Sequence, residues 1–385
     1  MPYTFSPADV AFLRSADGER ALAECAALPL TDGTRIADVA ALRRKFGDRS
    51  AAVLETVLLR RKSGFKLDSA GAWLFTADAL QQASAAAVAR HRAARLEGRA
   101  VHDVTCSIGA DLFELAKVTH CLGSDVDEVR LAMARHNCPG VPLVRADALR
   151  PVSRDTVIVA DPARRDSAGR RTWRPQDFAP PLDELAETYS GRDLVVKCAP
   201  GFDFSVAPWA REVELVSLDG QVREACLWSD GLATASRRAT VLRDGTQWTI
   251  TAEEPADIGA AAPGEWIVDP DGAVVRAGLV KHYGARHGLW QLDERIAYLT
   301  GNEPPPGVRA FRVLDHGPYS EKSLRASLRG REVGRLEILI RGLDLDPDAL
   351  RKRLKLAGPA EATVVLTRIG RSPVAFLCEA RRIPG

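Results

Sequence analysis

Acidic residues follow four short apolar runs in the first half of the chain, and each could accept hydrogen bonds from a ligand. Asp103, Asp125 and Asp147 end or follow the first three runs, and Asp161 directly follows the apolar run 156–160. Segments with helical spacing of apolar residues come after the first two runs. Strands that alternate with helices predict a parallel α/β sheet, whose ligands lie at the carboxyl ends of the strands. We therefore expect these four acids at one edge of a sheet.

The spacing of these residues fits an adenosyl ligand. Gly109 lies on the turn from the first strand into its helix, where the absence of a Cβ lets the backbone approach a bound molecule. Asp125 comes 22 residues after Asp103, a position from which an acid accepts hydrogen bonds from both hydroxyls of a ribose. Asp147, after the third strand, would then recognise the edge of adenine.

The loop from Asp103 to Gly109, the later strand-end acids and the pair Asp161-Pro162 resemble a known family. They are similar to the class I S-adenosylmethionine-dependent methyltransferases, and within them to the trimethylguanosine-synthase-like and related RNA N-methyltransferases. The resemblance implies an α/β fold with a Rossmann-like sheet of seven strands. The last two strands, expected near 213–218 and 222–228, would form its antiparallel pair.

The resemblance also implies S-adenosyl-L-methionine as the cofactor and assigns residues to it. The segment from Phe75 to Ser84 looks like the part that closes over the methionine end of the cofactor. The family's loop has a glycine where this chain has Ser107. The expected cofactor-binding residues are Thr76, Gln82, Asp103, Ser107, Gly109, Asp125, Val126, Asp147 and Ala148.

Asp161 and Pro162 are the expected catalytic residues, in a loop that departs from the family pattern. The family has Asp or Asn, then Pro, Pro and an aromatic residue, whereas here Ala163-Arg164-Arg165 follow. The resemblance implies that the acid at this position, together with a nearby backbone carbonyl, accepts hydrogen bonds from an exocyclic amine and aims the nitrogen lone pair at the methyl group. Proline fixes its own φ and favours an extended preceding residue, so this pair keeps that capacity.

The aromatic ring that stacks on the base is missing from this loop. Arg164 could replace it through its planar guanidinium, or Trp173 or Phe202 could supply a ring from another loop. The alternative is that the two arginines form a solvated turn. The expected substrate-binding residues are Arg164, Arg165, Lys197, Pro200 and Phe202.

Composition limits the classes of protein that the chain can belong to. Its 385 residues, 46% hydrophobic and 27% charged, suffice for two or three domains with substantial cores. It has no 18-residue apolar window and its amino terminus lacks a signal-peptide pattern, so we expect a cytoplasmic protein without a membrane segment. The seven cysteines form no metal-binding pattern and are expected to be reduced. The remaining alternative is that Cys106, in the cofactor loop, acts as a nucleophile.

Changes in periodicity predict four segments. Residues 1–70 form a helical segment, with helices expected at 21–27, 36–46 and 51–61, and 71–230 the methyltransferase domain, which starts with one helix from Ala79 to Leu96. Residues 231–300 form a β-rich connector, and 301–385 a final α/β unit with strands at 309–314, 335–340, 362–367 and 374–379 and helices at 320–328 and 347–354.

The final unit carries an excess of positive charge. It contains 16 Lys and Arg against 10 Asp and Glu, although the whole chain has a net charge of only +2. Its run Gly334 to Gly342 resembles the THUMP-like domain, and authentic THUMP domains bind structured RNA. The cations expected to contact phosphate are Arg325, Arg329, Arg331, Arg341, Lys352 and Arg353. The alternative is a structural or dimerising module.

Three hypotheses follow for the function. The leading one is methyl transfer from S-adenosylmethionine to an exocyclic amine, guanine N2, of a structured RNA such as rRNA or tRNA, without a metal. The second is an RNA-binding protein that retains the fold without catalysis. The third is an NAD-dependent dehydrogenase, which is disfavoured because no Gly-x-Gly-x-x-Gly occurs at the first turn.

Overall fold

The computed structural model describes residues 3–64, 66–68, 70–163 and 174–384. Arg164, Arg165 and Trp173 lie outside the described residues. The chain folds into two compact units, Met1–Val213 with Glu224–Thr234 and Glu214–Arg223 with Ala235–Gly385. Among the described residues, no helix is both long enough and apolar enough to cross a membrane.

The first unit begins with helices that pack around one apolar core. Ser6 and Asp9 start the first of them with a reciprocal capping box. The patterns predicted for the amino terminus correspond to α2, α3 and α4, and α1 was not predicted. The helices of this unit are α1 (Pro7–Leu13), α2 (Ala16–Ala26), α3 (Arg35–Phe46), α4 (Ser50–Ser63), α5 (Ala77–Gln82), α6 (Ala86–Arg95), α7 (Ala110–Leu115), α8 (Glu128–Asn137) and α9 (Leu182–Thr188).

A sheet with the predicted topology follows these helices. Its strands are β1 (Val101–Asp103), β2 (Cys121–Asp125), β3 (Leu143–Arg145), β4 (Val157–Ala160), β5 (Leu194–Cys198), β6 (Glu212–Leu218) and β7 (Gln221–Trp228). They lie in the order β3-β2-β1-β4-β5-β7-β6, and two further strands, at residues 237–243 and 246–251, follow β6 and extend the sheet to nine strands. The first five are parallel, and β7 is antiparallel to β5. This order confirms the expected sheet, in which the carboxyl ends of β1 to β5 share one edge.

The single helix predicted for residues 79–96 is wrong. The chain forms α5 and α6 instead, separated by Ala83 and Ala85 with extended ψ angles of 144° and 143°. Between them, the Ser84 hydroxyl donates to Glu224 Oε2 at 3.2 Å. Alanine has high helix propensity, so this tertiary contact overrides the local preference.

The second unit is built on a hairpin and a seven-stranded sheet. The predicted strands and helices beyond residue 301 are all present, whereas α10 and α11 were not expected in the β-rich connector. The sheet order is β11-β12-β10-β13-β16-β15-β14. The helices and strands of this unit from residue 237 onward are β8 (Arg237–Arg243), β9 (Thr246–Thr251), β10 (Trp266–Val268), α10 (Gly272–Arg276), α11 (Val280–Arg286), β11 (Trp290–Gln291), β12 (Leu299–Gly301), β13 (Arg309–Pro318), α12 (Glu321–Gly330), β14 (Val333–Ile340), α13 (Pro347–Leu354), β15 (Ala360–Ile369) and β16 (Ser372–Arg382).

Gly334 has a packing reason in this unit. A Cβ at this position would lie 1.9 Å from the carbonyl oxygen of Gly358, which precedes the parallel neighbour β15. Any side chain here would push the two backbones apart. A glycine is thus required where the backbones come together at the start of the β14–β15 pair.

Candidate active site

Asp125 lies at the carboxyl end of β2 and is fixed by backbone donors. Its Oδ2 accepts from the Ser107 N–H at 2.8 Å, and its Oδ1 accepts from the Asp127 N–H at 2.8 Å. Burial raises the pKa of this carboxyl above its usual value, while these two backbone donors oppose the rise. The half-buried carboxylate has lone pairs left for two further donors, which is what a vicinal diol requires.

The loop after β1 is tightly packed around Gly109. This residue has φ of 86°, and a Cβ on it would lie 2.6 Å from Cys138 Sγ. Asp103, at the end of β1, is buried, and burial raises its pKa to about 8. The Cys106 thiol is also buried, and burial raises its pKa well above the usual value. A thiol without thiolate character is inert, which argues against Cys106 as a nucleophile.

The loops after β2 and β3 leave an exposed surface beside Asp125. The Ala146 N–H donates to the Asp125 carbonyl oxygen at 3.2 Å, which holds the two loops together. Val126 is 60% exposed, and the exposed Asp147 accepts from the Leu149 N–H at 2.9 Å. Ala148 is buried, and its carbonyl oxygen accepts from the Tyr189 hydroxyl at 2.8 Å.

The segment expected to cover the cofactor is anchored beside the first loop. Asn137, at the end of α8, accepts from the Leu74 N–H at 2.9 Å and donates to the carbonyl oxygens of Leu74 at 2.8 Å and Ile108 at 2.9 Å. Thr76 caps α5 by accepting from the Ala79 N–H at 3.1 Å. Gln82, the last residue of α5, is exposed.

Asp161 follows β4 and is held by two contacts. Its N–H donates to Thr105 Oγ1 at 2.7 Å, which joins the loops after β1 and β4. Its Oδ2 accepts from Lys197 Nζ at 2.7 Å. The side chain is 39% exposed, whereas the following Pro162 is buried. Among the described residues, Oδ2 therefore has a hydrogen-bond donor, whereas Oδ1 of this partly exposed carboxylate has none.

The residues expected to bind substrate after β5 are mostly packed inside the protein. Lys197 is 6% exposed and contacts Asp111 as well as Asp161. Pro200 is half-buried. Phe202 is buried, and its ring centroid lies 5.9 Å from those of both Phe178 and Phe204. The ring of Phe202 thus serves packing in this structure.

The arrangement fits the cofactor expected from the sequence. The Asp125 carboxylate supplies acceptors for ribose hydroxyls, Val126 supplies an exposed apolar face beside it, and Asp147 supplies a further acceptor. All three lie at the carboxyl edge of the sheet, on the side of β1 away from Asp161.

Comparison with known proteins decides the family. The chain is 52% identical over 361 residues to an uncharacterized S-adenosylmethionine-dependent methyltransferase of Mycobacterium tuberculosis, in each of the strains CDC 1551 / Oshkosh and H37Rv, covering 89% of this chain and 100% of the relative. The chain belongs to the S-adenosylmethionine-dependent methyltransferases. S-adenosylmethionine is therefore its cofactor, and the dehydrogenase hypothesis is wrong.

Two further comparisons concern parts of this methyltransferase and its fold. A family model described as THUMP domain-like matches residues 308–380, and a domain of unknown function (DUF8688) matches residues 6–63. The crystal structure of a candidate methyltransferase from Porphyromonas gingivalis W83 matches with a TM-score of 0.75 and 20% identity, covering 98% of this chain and 99% of that one. The methyltransferase fold and the C-terminal THUMP-like domain are thereby confirmed.

Sequence reasoning missed the charged residues behind Asp161. Arg92 of α6 pairs with Asp111 of α7 and with Glu224 of β7. A sign was present in the sequence, since Arg92 falls on the same face of α6 as the buried Val88 and Ala89. A charge on an apolar face is seldom buried unless it is paired. Its partners, far away in the sequence, gave no comparable sign.

The basic clusters of the methyltransferase differ in their surroundings. Arg60 and Arg61 of α4 and the nearby Lys66 donate to backbone carbonyl oxygens, so they brace the helical segment. Three of the six cations predicted to contact phosphate in the final unit also have partners. Arg325 and Arg353 form ion pairs with Glu321, and Arg341 forms one with Asp269. The side chains of Arg329, Arg331 and Lys352 are exposed and form no ion pair with the residues that the structure describes.

Proposed function

We propose that this methyltransferase acts in the cytoplasm on an exocyclic amine of a structured RNA, with guanine N2 as the acceptor atom. The observation that carries the proposal is the half-exposed Asp161 carboxylate at the end of β4, with one oxygen held by Lys197 and the other available. Such an oxygen suits a neutral amine better than a group that needs a strong base. An ionised carboxylate oxygen is a strong hydrogen-bond acceptor for such an amine.

The expected mechanism depends mainly on positioning. When bound, S-adenosylmethionine supplies a methyl group whose bond to the positively charged sulfur breaks with its electron pair going to sulfur. Asp161 accepts a hydrogen bond from one amine N–H and so directs the nitrogen lone pair, which forms the new N–C bond, toward the methyl group. The methylated nitrogen then releases one proton, to Asp161 or to water. Fixing this geometry lowers the barrier without a strong base.

An RNA acceptor has to be brought to the sheet edge and its base unstacked. Unstacking costs a few kcal/mol, which backbone contacts elsewhere can offset. Arg329, Arg331 and Lys352 support such contacts, because they are exposed cations on a THUMP-like domain and have no competing ion pair among the described residues. We assign stacking on the base to Arg164 and contact with a phosphate to Arg165. Both arginines lie outside the described residues.

Nucleoside mass spectrometry tests the substrate. RNA from cells that lack the gene should lose one methylated guanosine, and expression of the intact gene should restore it. An unchanged nucleoside profile together with transfer of tritiated methyl groups into protein would show that the acceptor is a protein. RNA binding without transfer into either fraction would favour the non-catalytic alternative.

Replacing Asp161 tests the catalytic assignment. Asp161→Ala removes the acceptor for the amine, so we expect turnover to fall by about 100-fold or more. The affinity for S-adenosylmethionine should change little, because Asp161 is not among the residues assigned to the cofactor. Single-turnover methyl transfer and titration calorimetry measure the two effects. Wild-type turnover in the variant would refute the role of Asp161.

A further inference from the structure

A chain of ion pairs runs from the interior of the first unit to Asp161. Glu224 pairs with Arg92, Arg92 with Asp111, Asp111 with Lys197 at 3.0 Å, and Lys197 with Asp161 at 2.7 Å. The first four side chains are buried or nearly so, and the exposed fraction rises only at Asp161. Of the three carboxylates in this series of ion pairs, Asp161 at its end is thus the most exposed.

The contacts of Lys197 leave Asp161 little freedom. The ammonium group contacts Asp161 Oδ2, and a second carboxylate, Asp111 Oδ2, holds it from the other side. The backbone of Asp161 is fixed independently by Thr105. A carboxylate with its N–H and one oxygen fixed presents the other oxygen, Oδ1, in one direction.

The charge of Lys197 is secured by its neighbours. Burial alone lowers the pKa of its ammonium group, but the carboxylates of Asp111 and Asp161 raise it above the usual value. Asp111 is secured in the same way, since burial raises its pKa while Arg92 and then Lys197 lower it to about 2. The two groups therefore remain charged over the whole physiological range of pH.

Stability is a poor explanation for this arrangement. Charges lose their hydration when they are buried, and apolar residues of similar size often replace a buried ion pair without loss of stability. A buried charge network that ends at a solvent-accessible carboxylate in the loop after β4 is better explained by orientation. Catalytic groups need support of this kind, because a misplacement of about 1 Å can lower a rate about 100-fold.

We propose that Lys197, supported by Asp111, is a positioning residue that orients Asp161 for the acceptor amine. This inference rests on the proposed catalytic role of Asp161. It assigns to Lys197 a function different from substrate binding, because its Nζ contacts carboxylates of the protein at both sides. Arg92 and Glu224 then hold Asp111 from behind.

A double-mutant cycle tests this inference in the full-length protein. Methyl transfer from tritiated S-adenosylmethionine is measured with a desalted extract of cells lacking the gene as acceptor, which contains both RNA and protein. Lys197→Met should lower kcat roughly 100-fold in the otherwise wild-type chain. In the Asp161→Ala background, Lys197→Met should lower the remaining kcat by less than about threefold, because its target is already lost. Equal losses in both backgrounds would overturn the inference.

The controls separate positioning from folding. Lys197→Arg keeps the charge and should recover more activity than Lys197→Met, and both should bind S-adenosylmethionine like the wild type. Lys117→Met removes a lysine that is paired with Glu114 at 2.8 Å but is 46% exposed, and it should leave kcat unchanged. If Lys197→Met does not fold, Asp111→Asn, which loosens Lys197 but keeps the side-chain shape, should show the same dependence on Asp161. Full activity of Asp161→Ala would refute the proposed catalytic role of Asp161, whereas loss of activity there with additive effects would refute only the role of Lys197.

Discussion

Behind the carboxyl edge of the first sheet, cations are buried and ion-paired, whereas on the THUMP-like domain several cations face solvent without a carboxylate partner among the described residues. Arg92 and Lys197 represent the first kind, and Arg329 and Arg331 the second. A buried cation between carboxylates cannot bind an incoming anion without breaking its own pairs. An exposed, unpaired cation can, and its attraction for phosphate depends on salt. Under the functions proposed above, the two regions use the same residue types for orientation and for capture.

The largest effect that would test this difference is on stability. Arg92→Met leaves Asp111 and Glu224 without their shared cation, and breaking a buried pair from one side costs about 3 to 5 kcal/mol. We expect the free energy of unfolding, measured with urea, to fall by that amount. Arg90→Met is the matched control on the same helix. Arg90 is 55% exposed and pairs with the exposed Asp68, and its second contact, with the buried Glu114 at 3.4 Å, duplicates that of Lys117 at 2.8 Å, so its loss should cost less than about 1 kcal/mol. Equal losses would remove the distinction between buried and exposed pairs.

The next effect concerns cofactor affinity. Asp125→Ala removes the carboxylate expected to accept the ribose hydrogen bonds, so binding of S-adenosylmethionine should weaken by about 1 to 3 kcal/mol. Calorimetric titration measures this change. The control is Glu128→Ala, in α8 directly after β2. It removes an exposed carboxylate that is paired with Arg145 of β3, and it should leave the affinity unchanged. If Asp125→Ala binds as tightly as the wild type, the ribose is held elsewhere.

A pH effect should distinguish Asp103 from an exposed acid. Burial raises its pKa to about 8, so the folded protein keeps a proton that the unfolded chain has lost above about pH 4. The stability that this proton contributes is therefore full below pH 4 and is lost as pH rises to about 8. Between pH 6.5 and 8, the free energy of unfolding should fall by about 1 to 2 kcal/mol more in the wild type than in Asp103→Asn. The same pH slope in both proteins would contradict the raised pKa.

The smallest effect is expected at the exposed cations. Replacement of Arg329 and Arg331 by Glu should weaken the binding of all RNAs by a similar factor, because phosphate contacts position the RNA but do not distinguish its sequence. The log-log dependence of affinity on salt should become less steep by about 0.7 per lost single-strand phosphate contact. Filter binding at several salt concentrations measures both.

Reversal of Arg43 and Arg44 provides the matched control for this experiment. Both are adjacent, exposed cations on α3, so the change in charge is the same. If the THUMP-like domain binds the RNA, the replacement of Arg43 and Arg44 by Glu should leave the affinity for RNA unchanged. If it weakens binding and the tail reversal does not, the RNA surface lies in the first unit. Point substitutions suit this test better than truncation at residue 301, because β13 pairs with β10 of the same sheet.

The sequence was sufficient for features that depend on short segments. Asp125 and Asp161 follow strands directly, so an apolar run with a terminal acid predicted their place at the sheet edge. The contacts of Arg92 and Lys197 depend on residues up to 132 positions away, and no local pattern encodes which carboxylate they meet. The break between α5 and α6 has the same origin, since Ser84 contacts Glu224 across the fold. Basic residues were equally ambiguous, because the sequence does not distinguish Arg61, which donates to carbonyl oxygens, from Arg329, which has no ion pair among the described residues.

The hydrogen bonds of Asn137 have a consequence for how the cofactor exchanges. Asn137 fixes the start of the covering segment, Lys66 binds the carbonyl oxygens of Leu80 and Gln81 at 2.7 Å, and Ser84 is held at the far end. Because the segment is fixed at both ends and in the middle, we expect it to stay in place when the cofactor binds. We therefore expect S-adenosylmethionine to enter, and the spent cofactor to leave, past the exposed Val126. Exchange would then proceed through that opening at the speed of diffusion and loop fluctuation, without any rearrangement of α5.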